Sequence, residues 1–329
     1  MCLRGIHKHG TNKKPRRNED NMDKMNTKTN KDTYHNPRGF FTLLDVSKYP
    51  VKYLDIPYDT LSDDQKLDIY LPENRGKELL PAVVYVHGGG FEMGDRKYGH
   101  IERILDGLKK GFAVISVSYR LSQEAIFPAA VIDVRNAVRY IRKHGNKYGI
   151  DRERIGLLGE SAGGNLVALA AMNPKEEVFD AHIPEELRDT SARIAACVDW
   201  FGVIDMSCMR QQNEENHLCP PGRTMDLKIE ARYMGQDIPE VPADWLAKTN
   251  PITYLSENVC PMLIEHGTGD FNVPYQQSVM LYEAIVEKCG KERAELFLLY
   301  GAVHEDPAFE QEDNMALVWH FLKRQLQKD

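Results

Sequence analysis

The chain has 329 residues, with 42 Lys and Arg against 49 Asp and Glu and a formal charge of −7. At 42% hydrophobic and 28% charged residues its composition is that of an ordinary globular protein, which excludes wholesale disorder and fits one large domain or two modest ones. No run approaches the ~18 apolar residues of a membrane-spanning helix, and residues 1–10 lack the apolar stretch of a signal peptide, so an unexported, cytoplasmic protein without a membrane partner is expected.

Residues 1–40 hold ten Lys and Arg against four Asp and Glu, many Asn and Thr, and few large apolar side chains. Such a stretch buries too little to offset its ordering entropy, so a flexible basic tail is expected over 1–45 and a single folded domain over 46–329. Without the first 40 residues the body keeps 32 basic and 45 acidic residues, which argues against a nucleic-acid partner. The six cysteines are scattered with no Cys-x-x-Cys pair, so free thiols are expected and neither zinc nor a redox pair is suggested.

From residue 51 the pattern alternates strand and helix. Residues 51–58 and 66–71 read as a leading antiparallel pair. Short apolar runs follow at 82–86, 112–117, 154–158, 194–201, 262–265 and 295–300, the kind that suits strands covered on both faces. Helical stripes lie between them at 128–144 and 161–172, at 279–286 after Pro274, and at 310–326. This order predicts an α/β fold, a mostly parallel central sheet with helices on both faces. Residues 203–250 exceed an ordinary connection and are expected to be an insertion near the active face, ahead of the acid-bearing strand. Its Met206, Met209, Met225, Met234 and Trp245 can either line a pocket or pack, and packing is the commoner outcome.

The strongest local signal is the run from Gly159 to Gly164, GESAGG, directly after one predicted strand and directly before a helix. A serine on so sharp a turn exposes its hydroxyl, and the glycines let neighbouring backbone come close, so Ser161 is the candidate nucleophile. The second signal is His87-Gly88-Gly89-Gly90 after the strand at 82–86. Its glycines leave main-chain N–H groups uncrowded, so Gly89 and Gly90, joined by the N–H of Ala162, can face a developing oxyanion. Gly88 and His87 are expected to shape the loop, His87 by hydrogen bonding rather than proton transfer.

A serine hydroxyl needs a base, and the base needs an acid that fixes its tautomer. In this architecture the chain order is Ser, then Asp or Glu, then His. Asp270 follows the strand at 262–265 and His304 follows the strand at 295–300, so both loops should meet Ser161 at the C-terminal edge of a parallel sheet. The rivals are His266 as base and Glu265, Asp199 or Asp205 as acid, each placed too early in the chain or too close to its strand. No His, Cys, Asp or Glu cluster has convincing metal spacing, so no metal and no cofactor is expected.

Together, the HGGG loop, GESAGGNL, the Asp270-x-x-Val273-Pro274 loop with Gln277-Ser278, and Gly301-Ala302-Val303-His304 resemble the α/β-hydrolase superfamily. More narrowly they look like the bacterial carboxylesterases related to hormone-sensitive lipase, with the flavour of polysaccharide side-chain esterases described as feruloyl and acetyl-xylan esterases. The resemblance implies Ser161 as nucleophile, His304 as base and then acid, Asp270 as its partner, and Gly89, Gly90 and Ala162 as oxyanion hole. It implies an ester substrate, a small molecule or an oligosaccharide, and leaves a homo-oligomer open. An arylformamidase or a prolyl-oligopeptidase-like peptidase would use similar machinery, and a non-catalytic binding relative is the alternative of another class. The chain departs from the pattern at Glu305-Asp306, which could narrow the mouth or repel anionic substrates, and in the insertion around residues 208–222.

Overall fold

The computed structural model describes residues 42–97, 99–218, 225 and 227–327. Most of the expected basic tail lies outside the described residues. Leu44, inside the expected tail, is buried and its N–H donates to the Lys97 carbonyl at 3.0 Å, so the folded domain begins slightly earlier than residue 46.

Eight strands form one sheet: β1 (Lys52–Pro57), β2 (Lys66–Tyr70), β3 (Leu80–Val86), β4 (Ala113–Val117), β5 (Ile150–Glu160), β6 (Ala196–Trp200), β7 (Met262–Gly267) and β8 (Ala294–Leu299). Their spatial order is β1-β2-β4-β3-β5-β6-β7-β8. The strand β2 pairs antiparallel with both β1 and β4, and every other neighbouring pair is parallel. The described helices are α1 (Ile101–Ile104), α2 (Ala129–His144), α3 (Ala162–Met172), α4 (Met209–Asn216), α5 (Lys228–Met234), α6 (Ala243–Leu246), α7 (Gln276–Cys289) and α8 (Glu312–Leu326). This is the α/β-hydrolase fold anticipated from the sequence.

The period-2 alternation of the central strands builds two cores. In β3, Val84 and Val86 face the core that contains Val134 and Val138 of α2, Leu166 and Leu169 of α3, and Leu281 and Ile285 of α7. Val83 and Tyr85 face the opposite core, with Ile101 and Ile104 of α1 and Val318, Trp319 and Leu322 of α8. Each fully buried aliphatic side chain contributes about 1.5–3 kcal/mol relative to exposure, which is why both strand faces read as one unbroken apolar run.

Three features go beyond the expectation. The strand β5 starts at Ile150 rather than Arg154, because the polar stretch from Asp151 to Arg154 still continues the strand and Ile150 pairs with Leu80. A short α1 sits between β3 and β4. The insertion between β6 and β7 carries α4, α5 and α6, and its large apolar side chains pack: Met206, Met209 and Met234 are buried in the first core, and Met225 and Trp245 lie partly buried against it. Residues 219–224 of that insertion lie outside the described residues. Because β3, β5, β7 and β8 are parallel, the loops that follow them emerge on one edge.

Candidate active site

The turn between β5 and α3 carries Ser161 at φ 52° and ψ −117°, and Ser161 N donates to the Trp200 carbonyl at 2.9 Å. A non-glycine residue rarely occupies this region of backbone space, and the cost is of order 1–3 kcal/mol, held by surrounding structure. The loop after β8 brings His304 to it: the Ser161 hydroxyl donates to His304 Nε2 over 2.9 Å. The loop after β7 brings Asp270 to the other side of the ring, where His304 Nδ1–H donates to Asp270 Oδ2 over 2.6 Å. The second carboxylate oxygen, Asp270 Oδ1, accepts from the amides of Asn272 and Val273, each at 2.9 Å. Three side chains, 143 positions apart from first to last, thus lie in one hydrogen-bonded line.

Electrostatics follow from that line. Burial alone would raise the Asp270 carboxyl, but the adjacent His304 and His266 rings hold it well below the usual carboxylate range, so it stays ionised. Burial alone would lower the His304 imidazole, but the Asp270 carboxylate, with smaller contributions from Glu305 and Glu160, raises it above an ordinary histidine. Nδ1 carries the proton that faces Asp270, which leaves Nε2 as the acceptor facing Ser161.

The loop after β3 closes the other side. Gly89 and Gly90 have φ 108° and 61°, which their lack of a side chain permits. A methyl at Gly88 would come 3.3 Å from Ser161 Cβ, so this loop lies directly against the serine turn. Ala162 is the first residue of α3, where backbone N–H groups and the positive end of the helix dipole favour negative charge. His87 is fully buried, stacks on Tyr119 with ring centroids 4.4 Å apart, and donates from Nδ1 to the Gly88 carbonyl at 2.8 Å. Its partners are all within the loop and its support.

The rivals are engaged elsewhere. His266 is buried, with Nδ1 2.7 Å from Ser278 Oγ and Nε2 2.8 Å from the Val273 carbonyl. Glu265 accepts from Asn314 Nδ2 at 3.0 Å on α8, Asp199 accepts from the Gly202 amide at 3.0 Å, and Asp205 accepts from the Ser207 hydroxyl at 2.5 Å. No group of three or more His, Cys, Asp or Glu side chains is arranged to hold a metal among the described residues.

Sequence reasoning missed one buried network beside the serine. Glu160, the residue before Ser161, accepts from Tyr85 Oη at 2.6 Å and faces His100 Nδ1 at 3.3 Å. Burial pulls the His100 imidazole down, but the hydrogen bond and charge of Glu160 push it up to about 9. Burial raises Glu160, and its His100 and Tyr85 partners outweigh that and lower it. The available signal was the acid itself: a carboxylate inside a turn whose neighbours are buried needs a cationic partner. Nothing in the local sequence pointed to His100.

Several known proteins are similar to this chain in sequence or in fold. A structure described as a truncated form of carbohydrate esterase from gut microbiota is 28% identical, with a TM-score of 0.75, over 87% of this chain and 100% of that one. A bifunctional GH43-CE protein of Bacteroides eggerthii is 31% identical with a TM-score of 0.72, over 84% of this chain and 35% of that one. Among curated proteins, the probable carboxylic ester hydrolase LipM of Mycobacterium tuberculosis (strain ATCC 25618 / H37Rv) is 27% identical over 226 residues, 68% of this chain and 49% of the relative. The chain spans about half the length of the curated relatives it matches. A family model described as BD-FAE matches residues 67–285, more than half of the sequence, and the chain belongs to the BD-FAE family.

Proposed function

We propose that the chain is a serine carboxylesterase that removes acetyl or aromatic acyl groups from oligosaccharides through an acyl-enzyme intermediate. The observation that carries this reading is the hydrogen-bonded line from Asp270 through His304 to Ser161. The description of one structural neighbour as a carbohydrate esterase favours a sugar-borne ester.

In the proposed reaction His304 Nε2 takes the hydroxyl proton as Ser161 Oγ bonds to the ester carbonyl carbon. The carbonyl oxygen becomes an oxyanion that accepts from the N–H groups of Gly89, Gly90 and Ala162, each such donor being worth about 3 kcal/mol in the transition state. Collapse breaks the bond to the alcohol, and His304 returns its proton to the departing oxygen. Water then attacks the acyl-serine and gives one proton to His304, and collapse breaks the bond to Ser161 Oγ, which takes that proton back from His304 as the carboxylic acid leaves. Asp270 remains ionised throughout and holds Nδ1–H toward itself, stabilising the imidazolium. His87 and Gly88 keep the donor loop in shape.

The test is hydrolysis of short- and long-chain nitrophenyl esters, methyl ferulate and acetylated xylo-oligosaccharides by the full chain, with Ser161→Ala as control. Turnover of the acetylated and feruloylated substrates, lost by at least a thousandfold in Ser161→Ala, is the expected outcome. Preference for N-formylkynurenine or a prolyl peptide over every ester would overturn the ester assignment, and failure of a fluorophosphonate to label Ser161 would overturn the catalytic one.

A further inference from the structure

We infer that His266 is a positioning residue, whose Nε2 proton pins the turn that presents Asp270 to His304. This rests on the catalytic reading of Ser161, His304 and Asp270 given above. His266 is the penultimate residue of β7 and is fully buried, with its ring edge-on to Phe201 at 6.4 Å between centroids.

The ring nitrogens have distinct neighbours. Nε2 faces two acceptors that cannot donate, the Val273 carbonyl at 2.8 Å and Asp270 Oδ2 at 3.4 Å. Nε2 therefore carries a proton, with its shorter branch to the carbonyl and a longer, mainly electrostatic one to the carboxylate. Nδ1 lies 2.7 Å from the Ser278 hydroxyl on α7, which donates to it and fixes that tautomer.

These bonds close a ring around the acid. Val273 N–H donates to Asp270 Oδ1 at 2.9 Å, Val273 C=O accepts from His266 Nε2, and His266 Nε2 faces Asp270 Oδ2. Oδ1 of the carboxylate is thereby held by the turn, whose Val273 carbonyl is in turn tied to His266, and Oδ2 is left between His266 and His304. Without the Nε2 proton the Val273 carbonyl loses its partner, and the turn is free to rotate the carboxylate away. A misplacement of about 1 Å in a catalytic geometry can cost about a hundredfold in rate.

Two isosteric variants of the full chain separate the nitrogens. Gln at 266 places an amide near Nε2 and keeps that donor, whereas Asn reaches only the Nδ1 position and keeps the Ser278 contact alone. With p-nitrophenyl acetate, H266Q is expected to retain kcat within about threefold, and H266N to lose about ten- to a hundredfold in kcat with KM within about twofold. Circular dichroism and the melting midpoint confirm folding of both. Equal kcat in the two variants, whether both near wild type or both equally reduced, overturns the inference. Should H266N not fold, Ser278→Ala carries the test: a kcat loss of about three- to tenfold at unchanged KM supports the inference, and wild-type kcat overturns it. Wild-type chain that is itself inert and unlabelled by fluorophosphonate overturns the catalytic reading and this inference with it, whereas active wild type beside fully active H266N overturns this inference alone.

Discussion

The strained backbone of Ser161 is held by contacts that leave no room for a side chain two residues further on. A Cβ at Gly163 would lie 2.2 Å from the carbonyl oxygen of Val86, the last residue of β3, and 2.5 Å from that of His87, the first residue of the loop that carries Gly89 and Gly90. Gly163→Ala must therefore push the serine turn and the donor loop apart. The expected outcome is a stability loss of about 1–3 kcal/mol by urea titration, together with at least a tenfold fall in kcat on nitrophenyl acetate. Glu305 acts on the same site by charge. Its carboxylate helps raise the His304 imidazole, chiefly set by burial and Asp270, and a raised base stays protonated and inactive to higher pH. Removing that negative charge favours the neutral ring. In Glu305→Gln the acid limb of kcat/KM is expected to move to lower pH with the plateau within about threefold, and an unmoved or raised limb in the pH–rate profile would refute the coupling.

At the scale of elements, the donor loop is supported from the insertion. Phe91 stacks on Tyr233 of α5 with centroids 3.8 Å apart and planes 9° apart, and a Cβ at Gly90 would come 2.8 Å from Ile229 of the same helix. Tyr233 is buried to 1% exposure, and its hydroxyl has no hydrogen-bond partner among the described residues. An unsatisfied buried hydroxyl costs about 1–3 kcal/mol, so Tyr233→Phe is expected to raise the urea midpoint while keeping the stack. Tyr233→Ala, by contrast, removes the stack and is expected to cost about 3–5 kcal/mol and to raise KM; a stabilised Ala variant would sink this account of α5. The insertion is also where the sequence was least legible. The central strands of the sheet announce themselves as apolar runs because both faces are covered, and the line of Ser161, Asp270 and His304 is readable because each follows a strand of the parallel part of the sheet. The helix α4, MRQQNEEN, has no apolar stripe to betray it, and α1 and α6 are a single turn each. The role of His100 escaped for a related reason: it is defined by a partner brought near in space, Glu160 across 60 positions, and no local periodicity encodes such a pairing.

The two cores that sandwich the sheet enclose carboxyls as well as aliphatic side chains, and this makes the stability of the whole molecule depend on pH. Asp199, at the end of β6, is fully buried with one oxygen lacking a partner among the described residues; burial pushes it up to about 7, opposed only by the Gly202 amide. Burial likewise pushes Glu265, on β7, up to about 7 against the contacts of Asn314 and Trp200. An acid whose folded pKa lies above its unfolded value favours the fold fully below the unfolded value, ordinarily about 4, and that contribution is lost as pH rises through the folded value near 7. Asp270 and Glu160 have the opposite sign, since their lowered carboxyls support the fold above the ordinary range and lose that support only as pH falls through it. Between about pH 5.5 and 8.5 those two are constant, and the raised Asp199 and Glu265 dominate the carboxyl contribution to the slope. Asp199→Asn keeps an oxygen for the Gly202 amide and cannot ionise, so it removes the alkaline penalty at that position. Melting midpoints of wild type and Asp199→Asn at the two pH values are expected to show the variant gaining on wild type at the higher pH. Effects shared by both chains, such as loss of charge from His100 near about 9, cancel in that difference. A variant whose midpoint differs from wild type by the same amount at both pH values would mean that Asp199 does not titrate across this range in the folded protein.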